Sequence, residues 1–148
     1  MIVFWKKKLI NQGDQPITEL TVLEWKRLFS IKLFKFHKAI GCQDRFHTHS
    51  FNAFSLLLKG NYVEEILRDN RVCRYDRNRR RLIFIPKLEY HRITRSEGCI
   101  TLLVTGPWEA YWDELRSLGN SRYLHVICGD GRSDVKFGPV VTLDETDA

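Results

Sequence analysis

Residues 45–67 read RFHTHSFNAFSLLLKGNYVEEIL. From Phe46 to Leu58 it is rich in aromatic and apolar residues, and Lys59-Gly60-Asn61 then interrupts it as a turn does. Tyr62 to Leu67 reads as a second strand, with Gly60-Asn61 closing a hairpin between the two. Strand side chains alternate, so His47 and His49 are expected on one face, near enough to share one ion. The same parity takes in Phe51, Ala53, Ser55 and Leu57. Turned into a barrel, the small Ala53 and Ser55 would leave room for a ligand beside the histidines.

Working outward, Ile31 to His37 (IKLFKFH) alternates as a strand, whereas Ile17 to Phe29 mixes β-branched residues with a short helical pattern. Downstream, Arg81 to Ile85 (RLIFI) is a strand stopped by Pro86. His91 to Thr94 and Ile100 to Thr105 follow, divided by the turn Ser96-Glu97-Gly98 and closed by Gly106-Pro107. His91 falls where a strand re-enters, and Glu89 shares its parity. Trp108 to Leu118 (WEAYWDELRSL) has helical spacing, with Trp108, Tyr111, Trp112 and Leu115 on one face and a stop at Gly119-Asn120. Two apolar runs, LHVIC and FGPVVTL, precede an acidic end expected to fray, and the Gly129–Asp134 cluster reads as a turn. Many short strands with one late helix predict a mainly β barrel or jelly roll, a single domain over residues 1–148.

The bulk chemistry narrows the classes. A hydrophobic fraction of 43% suits a folded globule rather than a disordered chain. The formal charge of +6 concentrates in Lys6-Lys7-Lys8 and in the stretch from Arg68 to Arg81. These runs read as solvated loops or strand edges, where charge discourages edge-to-edge pairing, and nucleic acid is not an expected partner. Cys42, Cys73, Cys99 and Cys128 are widely spaced without a C-x-x-C pair, which excludes a zinc ribbon and a disulfide-dense scaffold. The N-terminal MIVFWKKKL sets its apolar residues ahead of its lysines, the reverse of a signal peptide, and no apolar run is long enough to cross a bilayer. A cytoplasmic protein with free thiols and no membrane partner is expected.

Three segments, RFHTHSFNAFSLLLKGNYVEE, RRRLIFIPKLEYHRI and ITLLVTGPWEAYW, together resemble the cupin superfamily, and more closely small uncharacterised cupin-like proteins of phage genomes. His47, His49, Ser55, Gly60, Tyr62, Glu64 and Glu65 fall in register with that pattern, as do Pro86, His91, Arg92, Thr105, Gly106 and Pro107. The resemblance covers about Lys35 to Trp112 and leaves residues 119–148 outside it. It implies a double-stranded β-helix barrel with a metal site on His47, His49 and His91, and in such single-domain proteins a homodimer. The carboxylate that the first cupin motif places soon after its histidine pair is replaced here by Ala53 and Phe54. Glu89 is the expected substitute, completing a set of three histidines and one glutamate for a divalent transition metal such as Fe, Zn, Ni or Mn. The function implied is binding of, or action on, a small anionic molecule, as an oxygenase, lyase or isomerase if it is an enzyme. Two other readings stay open: a non-catalytic receptor for a nucleotide or sugar phosphate held by arginines, and a metal-free sugar-nucleotide epimerase. The latter would use His47 or His49 as base with Tyr62 or Tyr90 as acid. Arg92 is opposite in parity to His91 and is expected to face outward.

Overall fold

The computed structural model describes residues 2–12, 15–40, 45–78, 82–129 and 136–144. Its first strands are β1 (Val3–Gln12), β2 (Gln15–Trp25), β3 (Phe29–Phe36), β4 (Ala39–Ile40), β5 (Arg45–His47), β6 (Ala53–Lys59) and β7 (Tyr62–Arg68). They are followed by β8 (Arg71–Arg77), β9 (Leu82–Ile85), β10 (His91–Ser96), β11 (Cys99–Thr105), β12 (Tyr111–Gly119), β13 (Arg122–Gly129) and β14 (Lys136–Thr142). A six-stranded sheet runs β1-β2-β3-β11-β6-β9, and a second sheet runs β14-β13-β12-β5-β10-β7-β8 with β4 beside β10. Strand pairs within both sheets are antiparallel, and the fold is a jelly-roll barrel of two facing sheets.

Alternation explains the interior. In β6, Ala53, Ser55 and Leu57 are buried while Phe54 and Leu58 are exposed, as the parity of the opening stretch requires. In β11, Cys99, Thr101, Leu103 and Thr105 point inward. Leu57, Tyr62, Ile93 and Cys99 pack as one cluster and Phe51, Ala53 and Leu103 as another.

Three expectations are corrected. The long strand from Phe46 is two strands, because the chain bends after His47 and resumes at Ala53 in the other sheet. Gly60-Asn61 joins no hairpin. β6 pairs with β11 and β9, β7 pairs with β10 and β8, and Gly60 turns the corner between the sheets. The true hairpin is β7–β8, whose turn residues Asp69 and Asn70 both have positive φ (50° and 62°), as a primed two-residue turn demands.

The expected helix is strand β12, held between β5 and β13. Its apolar face was an accident of spacing: Trp108 precedes the strand and packs on Phe51, while Leu115 joins Phe46, Tyr123 and Leu143 on the opposite side. Gly119-Asn120 does carry left-handed backbone, φ 84° and 50°, but for the β12–β13 turn. The apolar face that a helix would give Trp108, Tyr111 and Trp112 is not free to bury a partner copy either, because both tryptophans line the interior cavity. Cys73, Cys99 and Cys128 are free thiols. Cys42, Arg79–Arg81, the turn over 130–134 and the end beyond Asp144 lie outside the described residues.

The corner at Gly60 gives a direct test. Its φ is +76°, and a Cβ there would stand 2.2 Å from the Gly98 carbonyl oxygen and 2.9 Å from Cys99 Cα. Both atoms are backbone, so nothing yields by side-chain rotation. Gly60→Ala is expected to cost about 3 kcal/mol in urea unfolding, combining left-handed strain with overpacking. At Gly98, φ +86° but with open space around the Cβ position, the same substitution should cost about 1 kcal/mol, for strain alone. Equal losses at the two positions would contradict the sheet-corner account.

Candidate metal centre

Register builds the centre. β5 lies between β12 and β10, so His47 pairs with Glu114 on one side and with His91 on the other. All three are on the inward face of the second sheet and line the cavity. His49 lies just beyond the end of β5, where Thr48 ties to β12 through its backbone N–H to the Asp113 carbonyl (2.8 Å) and its Oγ1 accepting from the Asp113 N–H (2.8 Å). The His49 ring stacks on Phe51, centroids 5.1 Å apart.

The three imidazoles converge as the parity of H-x-H predicts. Their ring centroids are 4.7–5.1 Å apart, and one ligand nitrogen from each lies within 4.8 Å of the others. His49 Nε2 and His91 Nε2 approach to 2.8 Å. Two nitrogens at right angles on metal bonds of ~2.1 Å would stand roughly 2.9 Å apart, so this spacing suits an octahedral ion. Burial, then the repulsion of His91, lowers His49 to about 3. Burial, followed by His91, His49 and Arg45, holds His47 well below the ordinary imidazole value. Both rings are therefore neutral at physiological pH, the form that donates to a metal. The residues present fit a divalent ion.

A carboxylate supports the set from behind. Glu64 on β7 is buried and accepts from His91 Nδ1 at 2.6 Å, while its other oxygen accepts from Arg77 Nε at 3.0 Å. Burial pushes the Glu64 carboxyl upward, but the hydrogen bond and charge of His91, with those of Arg77, outweigh it and hold the group below its usual range. The carboxylate fixes the proton of His91 on Nδ1 and so aims the Nε2 lone pair into the cavity. With that tautomer, His49 Nε2–H is the donor in the 2.8 Å contact, and its proton competes with a metal for the same lone pairs.

Glu89 is not brought to the histidines. Its backbone N–H bonds the Pro86 carbonyl in a tight turn, its Oε2 accepts from Arg68 at 3.0 Å, and it is outside the cavity lining. Parity with His91 fails because β10 starts only at His91, so the two residues straddle a turn. Tyr90 also turns away, packing against the Phe46–Leu115–Tyr123 cluster with its phenol on Asp113. Tyr62 does line the cavity, where burial raises its phenol. Arg92 lies on the opposite face as expected, over the Phe46 ring and bonded to Glu65 at 2.7 Å. His37 and His125 are outside the lining, the first bonded to Thr18.

The cavity measures about 490 Å³. Phe34, Phe36, Phe51 and Trp108 form much of its apolar wall. Charged groups that sequence reasoning missed also line it, Glu114 and Lys32 with their partners Arg45 and Glu19. Glu114 is pinned by Arg45 (3.3 Å) and Arg116 (2.9 Å), and a strand reading of WEAYWDELRSL would have turned it inward with Trp112. Lys32, its side chain 5% exposed, bonds Glu19 at 2.8 Å and Glu24 at 3.2 Å and lies 4.8 Å from the Trp108 ring centroid. Its signal was present in IKLFKFH, whose alternation put lysine on one face with Phe34 and Phe36.

No protein-family profile and no curated protein sequence matches the chain. Solved structures do. The capsular polysaccharide assembling protein CapF from Staphylococcus aureus is similar over 70% of this chain and 29% of its own, at 14% identity and TM-score 0.52. A cupin 2 conserved barrel domain protein from Rhodopseudomonas palustris is similar over 69% of this chain and 71% of its own, at 16% identity and TM-score 0.50. Oxalate decarboxylase from Bacillus subtilis is similar over 73% and 29%, at 18% identity and TM-score 0.53. The chain spans under a third of the CapF and oxalate decarboxylase chains. At these identities the likeness is one of fold, that of the cupin barrel.

Proposed function

We propose that this chain is a metal-binding cupin that holds one divalent transition ion on His47, His49 and His91 and binds a small molecule in the cavity beside it. The observation carrying this reading is the convergence of three imidazoles, with His91 oriented by Glu64. Three neutral nitrogen donors suit Mn, Fe, Ni or Zn and leave coordination positions for a ligand. The Bacillus subtilis oxalate decarboxylase has Mn(II) centres, which places manganese among the first ions to try. When bound, a divalent ion supplies Lewis-acid polarisation of a ligand's oxygen atoms.

The protein's own groups set the rest. Glu114, beside His47 in register, is a carboxylate of the cavity wall that can hold a hydrogen bond or proton of a bound molecule. Phe51 and Trp108 supply apolar contact and keep water from that side. Lys32 and Arg45, the lysine and arginine of the lining, already face carboxylates. A bound anion would therefore draw on the charge of the ion rather than on a protein cation, which disfavours a metal-free phosphate receptor.

Elemental analysis of protein purified without added metal tests the proposal, followed by chelation and thermal unfolding with Mn(II), Fe(II), Ni(II) and Zn(II). One ion per chain is expected. A hundredfold excess over Kd adds about 2.7 kcal/mol, or roughly 5–10 °C in Tm for a chain of this size. Metal-free protein whose Tm responds to none of the four ions would overturn the reading.

A further inference from the structure

Apolar and cationic side chains gather at the corner where the edge strand β1 meets the β2–β3 turn. Val3 pairs with Glu24 and Phe4 with Leu23, which sets the start of β1 beside that turn. The turn is closed by the Leu28 N–H on the Trp25 carbonyl (2.8 Å). Ile2, Phe4, Trp5, Trp25 and Leu28 are all exposed there, Phe4 to 63%, Trp5 to 72% and Leu28 to 50%. Trp5 is also held in left-handed backbone, φ 52°, an outlier for so bulky a residue. Among the described residues no aromatic ring or cation packs on its indole. Cations interleave with these side chains. Arg27 lies in the turn and Lys6, Lys7 and Lys8 follow Trp5; all four are exposed, and among the described residues none is in an ion pair. The nearby Glu19 and Glu24 both face Lys32, and Lys26 lies over the Trp108 ring, 4.7 Å from its centroid. The basic β7–β8 hairpin differs, because Arg68 is paired with Glu89 and Arg77 with Glu64.

We propose that this corner docks on the surface of a bilayer containing anionic phospholipid. Tryptophan and phenylalanine favour the headgroup level, where an apolar ring can be buried without losing contact with water at its edge. Ile2 and Leu28 are aliphatic and gain by passing below that level, while Arg27 and the three lysines meet lipid phosphates. Charge complementarity selects the anionic lipid, since four cations stand together and the carboxylates beside them are already paired. A single-stranded nucleic acid would also meet cations and stacking rings, but its bases gain little from Ile2 and Leu28. The expectation of no membrane partner rested on the lack of an apolar run long enough to span a bilayer, and a contact made from the rim of a sheet needs none. Ile2, Phe4, Trp5, Trp25 and Leu28 are all outside the cavity lining, so docking and metal binding can fail independently.

Co-sedimentation of the full chain with vesicles tests this, using phosphatidylcholine alone and phosphatidylcholine with about one-third phosphatidylglycerol. Binding to the anionic vesicles is expected at about 0.05 M salt, with a steep fall by about 0.5 M. Binding to phosphatidylcholine alone should be roughly tenfold weaker or more. Lys6→Gln combined with Arg27→Gln should weaken anionic binding about twentyfold, a factor of roughly five for each cation. Trp5→Ser combined with Leu28→Ser should weaken it roughly tenfold or more, with circular dichroism and metal content unchanged. Leu82→Ser, 67% exposed on the opposite edge strand β9, and Arg74→Gln on β8 are the controls and should bind as wild type does. A wild-type chain that stays in the supernatant with anionic vesicles at low salt would overturn the proposal. So would equal binding to phosphatidylcholine alone, or losses in the controls as large as those at the corner. Fluorescence anisotropy with a labelled oligothymidylate separates the other partner: binding tighter than to vesicles, and lost in the same variants, would make the corner a nucleic-acid site instead.

Discussion

Replacing His91 with alanine is expected to weaken metal binding by two to three orders of magnitude, and His47→Ala and His49→Ala should do the same. A structural zinc site of four ligands is worth about 10–16 kcal/mol, so one ligand contributes roughly 3–4 kcal/mol, which corresponds to a factor of about 10²–10³ in Kd. The three losses should be similar because each imidazole offers one nitrogen to the same point. Glu89→Ala is the decisive companion. Its carboxylate pairs with Arg68, whose side chain is 56% exposed, so removal should leave the metal Kd unchanged and cost less than about 1 kcal/mol of stability. Competition against a chromophoric chelator measures all four variants on one scale. Should Glu89→Ala lose as much affinity as the histidine variants, the three-histidine account would be wrong and the glutamate would be a ligand after all.

Period-two alternation is why the histidines were legible. It needs only local strand geometry, and it placed His47, Ala53, Ser55 and Leu57 inside without reference to the rest of the chain. His49 followed although its strand had ended, because Thr48 is pinned to Asp113 and keeps the alternation for one more residue. The same rule failed at Glu89, where a turn intervenes between it and His91. The two cases share a spacing and differ in what the neighbouring backbone bonds to, which a sequence does not display.

Non-local pairing accounts for the other errors. Gly60-Asn61 has the chemistry of a hairpin turn, yet the strands on either side enter different sheets, a choice made by β11 and β10 far along the chain. WEAYWDELRSL offers four helical contacts by spacing, but as a strand it gains two partners, β5 and β13, and closes the wall behind His47. Those pairings outweigh a helix preference of a few tenths of a kcal/mol per residue.

The other large effect is expected at Glu64. Adjacent residues of a strand face opposite ways, so Glu64-Glu65 on β7 and His91-Arg92 on β10 form one pair inside and one pair outside: Glu64 with His91, Glu65 with Arg92. The sequence displays both dipeptides, and the register of β7 against β10 joins them, with Arg92 directly opposite Glu65 and His91 diagonal to Glu64. Glu64→Ala leaves Arg77, 16% exposed, and the His91 Nδ1–H without their acceptor. Breaking a buried pair in this way costs about 3–5 kcal/mol, and the partial exposure of Arg77 favours the lower end. Glu64→Gln preserves the volume and one acceptor, so stability should fall by only about 1–2 kcal/mol. Metal affinity should still drop roughly 10–100-fold, because a neutral amide neither fixes the His91 tautomer as firmly nor raises its basicity. Glu65→Gln breaks an equivalent pair on the outer face and should leave metal affinity at the wild-type level. The readout that separates orientation from mere folding is therefore the chelator-measured Kd of the two glutamine variants at matched stability. If Glu64→Gln binds metal as tightly as Glu65→Gln, Glu64 only neutralises Arg77, and the aim of His91 comes from packing alone.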